Sequence, residues 1–242
     1  MRFSSLASCY AERNGCHRPK ADPDIVTNFL LNRVMLSIEQ FFAFLAAALL
    51  ITATPGPDNL MVLGMGISKG QRRGIVFGLG CAFGCLSHTI LAVVGVSALI
   101  AASPAAFTLL KIAGGLYLIW LGYNALRSSG SVKIEAVQSV DESLTKLFLK
   151  GCLANAINPK VVLFFLSFLP QFVIPANGPV GLQLAGLGLT FTLQAAVLFG
   201  LLGYFSGAIG QWLSKRPKAG VVLDRIAGAV FVGLGLKLIV SR

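Results

Sequence analysis

Charge is scarce in this sequence. Of its 242 residues, 12% are Asp, Glu, Lys or Arg, and acids contribute nine of them. A soluble domain carries about 25% charged residues, so the chain lacks the groups needed to wet a globular surface. Histidine occurs twice, and the five cysteines (Cys9, Cys16, Cys81, Cys85, Cys152) have no metal-framework spacing. Cys81, Cys85 and His88 follow one another along one apolar run, but buried cysteine ordinarily serves as a small hydrophobe. No resident metal is expected. The motifs His-x-x-x-His and Gly-x-Ser-x-Gly are missing, as are paired acids, which leaves an intramembrane enzyme without its chemistry. The aromatic residues are mostly phenylalanines inside apolar runs, not interleaved with basic residues as a stacking platform for nucleic acid requires.

Apolar sequence is plentiful, at 55% with a mean hydropathy of +0.79. A helix rising about 1.5 Å per residue needs about 20 apolar residues to cross a bilayer core. Six stretches meet that length: 38–67, 74–101, 106–126, 147–169, 180–212 and 221–240. They predict an all-α integral membrane protein of six spans. Residues 1–34 differ, with five basic residues (Arg2, Arg13, Arg18, Lys20, Arg33), three acids and no apolar core of signal-peptide length. They read as a disordered leader, or as an extension ahead of a functional start at Met35. The remainder, 35–242, reads as a single membrane domain.

The net charge of +11 is concentrated between spans. The first connection holds Lys69, Arg72 and Arg73, the third Arg127, Lys133, Lys146 and Lys150, and the fifth Lys215, Arg216 and Lys218; the second and fourth hold no basic residue. The positive-inside rule puts the first, third and fifth in the cytoplasm, with both termini outside.

The chain also resembles itself. Lys111-Ile112-Ala113-Gly114-Gly115-Leu116-Tyr117-Leu118 in the third span matches Arg225-Ile226-Ala227-Gly228-Ala229-Val230-Phe231-Val232 in the sixth, residue type by residue type. The first and fourth spans each carry a proline in a polar setting: Thr54-Pro55-Gly56-Pro57-Asp58-Asn59 and Asn155-Ala156-Ile157-Asn158-Pro159-Lys160. Spans one to three (about 35–127) therefore correspond to spans four to six (about 146–242). Three is odd, so the second copy enters the membrane from the opposite side. Inverted repeats with interrupted helices in matching places point to the central site of a secondary transporter.

A proline within a helix removes one hydrogen bond and clashes with the preceding turn. In hydrocarbon such a break persists where it faces protein or a polar cavity. Pro57 suits the first position of a new helix with Asp58 in its first turn, and Asn158 suits the N-cap of another beginning at Pro159. Two such helix starts offer free N–H groups to a carboxylate ligand. Asp58 is the one acid well inside a predicted span, and an intramembrane carboxylate is a functional candidate. It can pair with a substrate ammonium or take up a proton. Lys160 holds the matching place in the fourth span and is its candidate countercharge, while Asn59, Asn155 and Asn158 add hydrogen-bonding groups. His88 and Gln194 are weaker candidates, a proton relay and a cavity-lining amide. Glycines at four-residue spacing (Gly66, Gly70, Gly74, Gly78) and in the fifth span (Gly200, Gly203, Gly207, Gly210) allow close helix packing, and are compatible with a homodimer face.

Taken together, these motifs resemble the LysE/RhtB family of bacterial amino-acid exporters. The resemblance runs from Met35 to the C-terminus. It rests on Thr54-Pro55-Gly56-Pro57-Asp58-Asn59-Leu60, Gly70-Gln71-Arg72-Arg73-Gly74, the run from Lys111 to Gly122, and Asn158-Pro159-Lys160 followed by Phe164-Phe165. It implies an inner-membrane exporter of amino acids or close derivatives that exchanges them for protons, with the proton motive force in place of a cofactor. The leader departs from the family pattern. Two competing readings are a metal-cation exporter of related architecture, which a single buried acid argues against, and a membrane scaffold, which leaves the paired breaks unexplained.

Overall fold

A computed structural model of the chain describes residues 36–128 and 142–240. The leader, the start at Met35 and residues 129–141 of the third connection lie outside them. Among the described residues every regular element is helical. Helix α1 is Ile38–Ala53 and α2 is Pro57–Lys69. Helix α3, Gln71–Leu91, runs through a π-helical turn at Ala92–Val96 into α4, Ser97–Ala102. Helix α5 is Pro104–Arg127 and α6 is Leu144–Ala156. Helix α7, Pro159–Leu163, continues as a π turn at Phe164–Phe168 and a 3-10 turn at Leu169–Phe172. Helices α8, Val180–Tyr204, α9, Ser206–Lys215, and α10, Pro217–Val240, complete the chain.

Among the described residues, four helices are long and apolar enough to cross a membrane: Gln71–Gly95, Ala105–Arg127, Val180–Tyr204 and Lys218–Val240. Two bent pairs, α1 with α2 at 56° and α6 with the helical segment Pro159–Phe172 at 52°, bring the number to six if each is one span. One predicted boundary is corrected. The stretch 180–212 is not one rod, because the helix ends at Tyr204 and α9 begins after a turn at Phe205. There the buried Ser206 hydroxyl donates to the Gly203 carbonyl at 2.8 Å, a local bond that competes with continued helix.

Glycines set how the rods pack. Gly74 meets Gly203, Gly78 meets Phe199 and Gly188 meets Thr89, so α3 and α8 run antiparallel. Gly115 meets Gly235 and Gly122 meets Gly228, so α5 and α10 do the same. Helices α3 and α6 run parallel, with Gly80 against Gly151 and Gly84 against Asn155. A Cβ at Gly151 would stand 2.3 Å from the Phe77 carbonyl oxygen, a backbone atom that cannot swing away. Gly151→Val is therefore expected to destabilise the protein by about 1–3 kcal/mol, read as a lowered melting temperature in detergent. Gly200→Ala is the control, since a Cβ there meets nothing within 4 Å.

The two ends of the bundle differ. At one end, the Ser37-x-x-Gln40 capping box opens α1, with Ser37 and Gln40 bonding reciprocally at 3.1 and 3.2 Å. The Gln40 amide then donates to the Phe172 carbonyl and to Gln183 Oε1. Gln183, fully buried, also accepts from Ile174 N and donates to the carbonyls of Ile174 and Gly178. This amide cluster ties the start of the first broken pair to the connection before α8. At the other end, the basic turn from Lys69 to Arg73 lies beside Glu142, Ser143 and Leu144. Lys150 donates to Glu142 there and holds its carboxyl below the usual carboxylate range.

Two breaks around one small cavity

Helix α1 stops because Pro55 and Pro57 supply no N–H. Two carbonyls at the end of α1 find side chains: Thr52 O accepts from Asn59 Nδ2 at 2.9 Å, and Thr54 O accepts from Lys160 Nζ at 2.9 Å. Helix α6 stops for the same reason. Pro159 has no N–H for the Asn155 carbonyl four residues earlier, which instead accepts from Asn158 N at 2.9 Å and lies 3.0 Å from His88 Nε2. Asn158 caps the new helix, its Oδ1 accepting from Lys160 N at 3.1 Å. At the first break Pro57 occupies the opening position of α2, and the cap, Gly56, brings no side chain to the exposed N–H groups.

The breaks are crosslinked. Asn155 Nδ2, from the fourth span, donates to Asp58 Oδ2, in the first, at 2.7 Å. Lys160, also from the fourth span, reaches back to Thr54, and its ammonium lies 5.4 Å from the centre of the Phe231 ring on α10. Both charges are buried, with Asp58 3% and Lys160 6% exposed. Asp58 and Lys160 line the same cavity without forming a direct ion pair, and each is held by a neutral group from the other break. A side chain at Gly56 would be 2.9 Å from Lys160 Nζ, so the lysine reaches the Thr54 carbonyl across a glycine.

Several polar atoms here are buried without a partner. They are Asp58 Oδ1, Asn158 Nδ2, Gln194 Oε1 and His88 Nδ1. Leaving such groups unpaired costs about 1–3 kcal/mol each. Beside them lies a cavity of about 10 Å³, close to the space one water needs. Thr52, Asp58, Asn59, Asn155 and Lys160 form its polar wall; Ile51, Val161, Phe164, Phe191 and Phe199 form its apolar wall.

Asp58, Asn59, Asn155 and Lys160 thus line one space, with Pro55, Gly56, Pro57, Asn158 and Pro159 shaping the breaks beside it. Gln194 adjoins it from α8, donating to the Thr52 hydroxyl at 2.9 Å. His88 does not line the cavity; its Nε2 lies 3.0 Å from the backbone carbonyl of Asn155, which does. Cys85 Sγ lies 3.4 Å from Asn155 Oδ1, and among the described residues no group of three His, Cys, Asp or Glu could hold a metal ion. Sequence reasoning missed Thr52, the apolar wall, and the amides of Gln40 and Gln183. The Ser37-x-x-Gln40 capping pattern was the available signal for Gln40; a phenylalanine facing the cavity looks like any other in an apolar helix.

The chain is similar to known proteins over most of its length. The "LysE type translocator" family matches residues 49–242. The "uncharacterized membrane protein YrhP" of Bacillus subtilis is 31% identical over 208 residues, covering 83% of this chain and 98% of that protein. The "homoserine/homoserine lactone efflux protein" of Salmonella typhimurium is 30% identical over 207 residues, 86% of this chain and 99% of its own length. The "leucine efflux protein" of an Enterobacter species is 31% identical over 199 residues, covering 82% and 94%. No solved structure matches the chain. With buried polar breaks inside apolar helices and a family match over most of its length, the chain belongs to the LysE type translocators, membrane transporters that handle small molecules.

Proposed function

We propose that this protein exports an amino acid or a close derivative across the bacterial inner membrane in exchange for protons. The observation that carries the reading is the pair of crosslinked breaks, which leave Asp58 Oδ1 and Asn158 Nδ2 buried and unpartnered beside Lys160. An amino acid presents the complementary pair of charges. Its ammonium meets Asp58 Oδ1; its carboxylate meets Asn158 Nδ2, the Lys160 ammonium and the uncapped N–H groups at the start of α2. The names of the relatives, efflux of homoserine or its lactone and of leucine, fit that cargo.

The cavity is far smaller than an amino acid, so loading requires the helices to part. The antiparallel pairs α3 with α8 and α5 with α10 support two inverted halves that rock against each other. In the orientation that the basic connections imply, the Gln40–Gln183 cluster faces outward and the Lys69–Arg73 turn faces the cytoplasm. Asp58 couples the fluxes by competition: it releases the substrate ammonium outside as it binds a proton, then releases the proton inside as it binds the next ammonium.

The test uses purified protein in liposomes loaded with a mixture of labelled amino acids. At least one is expected to leave faster than from protein-free liposomes, and faster still when the outside is made acid. Loss of every amino acid at the protein-free rate overturns export. Loss that ignores both the pH gradient and a protonophore overturns proton exchange.

A further inference from the structure

The apolar wall of the cavity carries a statement about the cargo, one that rests on the export reading and narrows it. The geometry points to a substrate whose side chain is neutral and apolar, seated against Phe164, Phe191 and Phe199. Three observations lead there. First, Thr52 and Asn59 are each engaged with a neighbour: the Thr52 hydroxyl accepts from Gln194 Nε2, and Asn59 Nδ2 donates to the Thr52 carbonyl. Second, two of the four unpartnered atoms, Asp58 Oδ1 and Asn158 Nδ2, stand at the two breaks, where the ammonium and carboxylate of the cargo are received. The other two belong to Gln194 and His88, which do not line the cavity. Third, the remaining wall consists of Ile51, Val161, Phe164, Phe191 and Phe199.

That wall is pre-packed. Phe191 reaches Phe164 at 5.3 Å and Phe165 at 4.9 Å between ring centres, while the π turn at Phe164–Phe168 brings two successive phenylalanines, Phe164 and Phe165, into full burial. Aromatic rings in contact with one another present edges and faces to a cargo, not hydrogen-bonding groups. A lysine-like cargo would bring a second ammonium into this wall, and Asp58 is the one buried acid among the described residues. An uncompensated buried charge is the most strongly rejected chemistry. A hydroxyl-bearing cargo such as homoserine is rejected less, because an apolar pocket excludes an added hydroxyl only by about 100-fold at most. The residues that set specificity are accordingly the phenylalanines, with Phe191 in contact with the Phe164 ring.

Liposomes containing the protein are loaded with equal leucine, methionine, homoserine and lysine, each labelled, and the initial rates of loss are compared. Leucine and methionine are expected to lead, homoserine to trail by about 10- to 100-fold, and lysine to leave at the protein-free rate. Phe191→Leu, which enlarges the pocket, is expected to raise the rate for phenylalanine relative to leucine. Phe199→Leu serves the same purpose if the first variant does not accumulate. Lysine or homoserine leaving as fast as leucine overturns the apolar assignment while export stands. An unchanged phenylalanine-to-leucine ratio in the variants removes the wall from specificity. Loss of no amino acid at all overturns the export reading itself, and this inference with it.

Discussion

Asp58→Asn is expected to lower efflux by about 100-fold while leaving the amount and fold of the protein in the membrane unchanged. The asparagine has nearly the same shape, and its oxygen still accepts from Asn155 Nδ2, so the crosslink between the breaks survives. What disappears is the negative charge that the proposed mechanism sets against the cargo ammonium. Losing one partner of a buried charge pair costs about 3 kcal/mol or more, which is the 100-fold figure at about 1.4 kcal/mol per decade. The variant also has no group to carry the proton, so its residual efflux is expected to ignore an imposed pH gradient. Asp58→Glu keeps the charge on a longer arm and is expected to recover part of the rate and the gradient dependence. Wild-type efflux in the asparagine variant removes Asp58 from the mechanism.

Lys160→Met carries the second large effect. Methionine matches the lysine stem, but the ammonium's approach to the Phe231 ring and the donor to the Thr54 carbonyl are both lost. An orphaned buried carbonyl costs about 1–3 kcal/mol, and relief from burying the ammonium offsets part of that. The expected loss of stability is therefore small, about 1 kcal/mol. Efflux is expected to fall at least about 10-fold, because the carboxylate of the cargo loses a charge-assisted donor. Melting temperature in detergent and initial efflux rate, measured on the same preparation, separate the two consequences. A large stability loss with normal efflux per folded molecule would assign Lys160 to structure alone.

The broken spans are legible in the sequence because proline acts locally. Pro57 and Pro159 remove an N–H wherever they stand, and the helices begin at those two residues as the residue pattern predicts. The length of the apolar runs is equally local, since the bilayer sets it; the one misjudged run, 180–212, fails where Ser206 bonds back to Gly203. The partner of each carbonyl at the breaks was not legible. Charge complementarity pointed to Asp58 with Lys160, yet the lysine serves Thr54 and the aspartate takes an amide from Asn155. Nor did anything along the chain distinguish Phe191 from the other phenylalanines, or announce that Gln40 and Gln183 would meet across 143 positions.

The order of residues by itself determined a membrane protein with two interrupted helices, a basic face on alternate connections, and one acid deep in apolar surroundings. These follow from bond-making capacity and transfer free energy, properties each residue carries with it. Tertiary structure alone decided which polar atoms are satisfied and which stay spare. That outcome depends on distances between helices brought into contact by glycine, and Asp58 Oδ1 remains open because Asn155 arrives on the other oxygen while Lys160 is drawn to a backbone carbonyl.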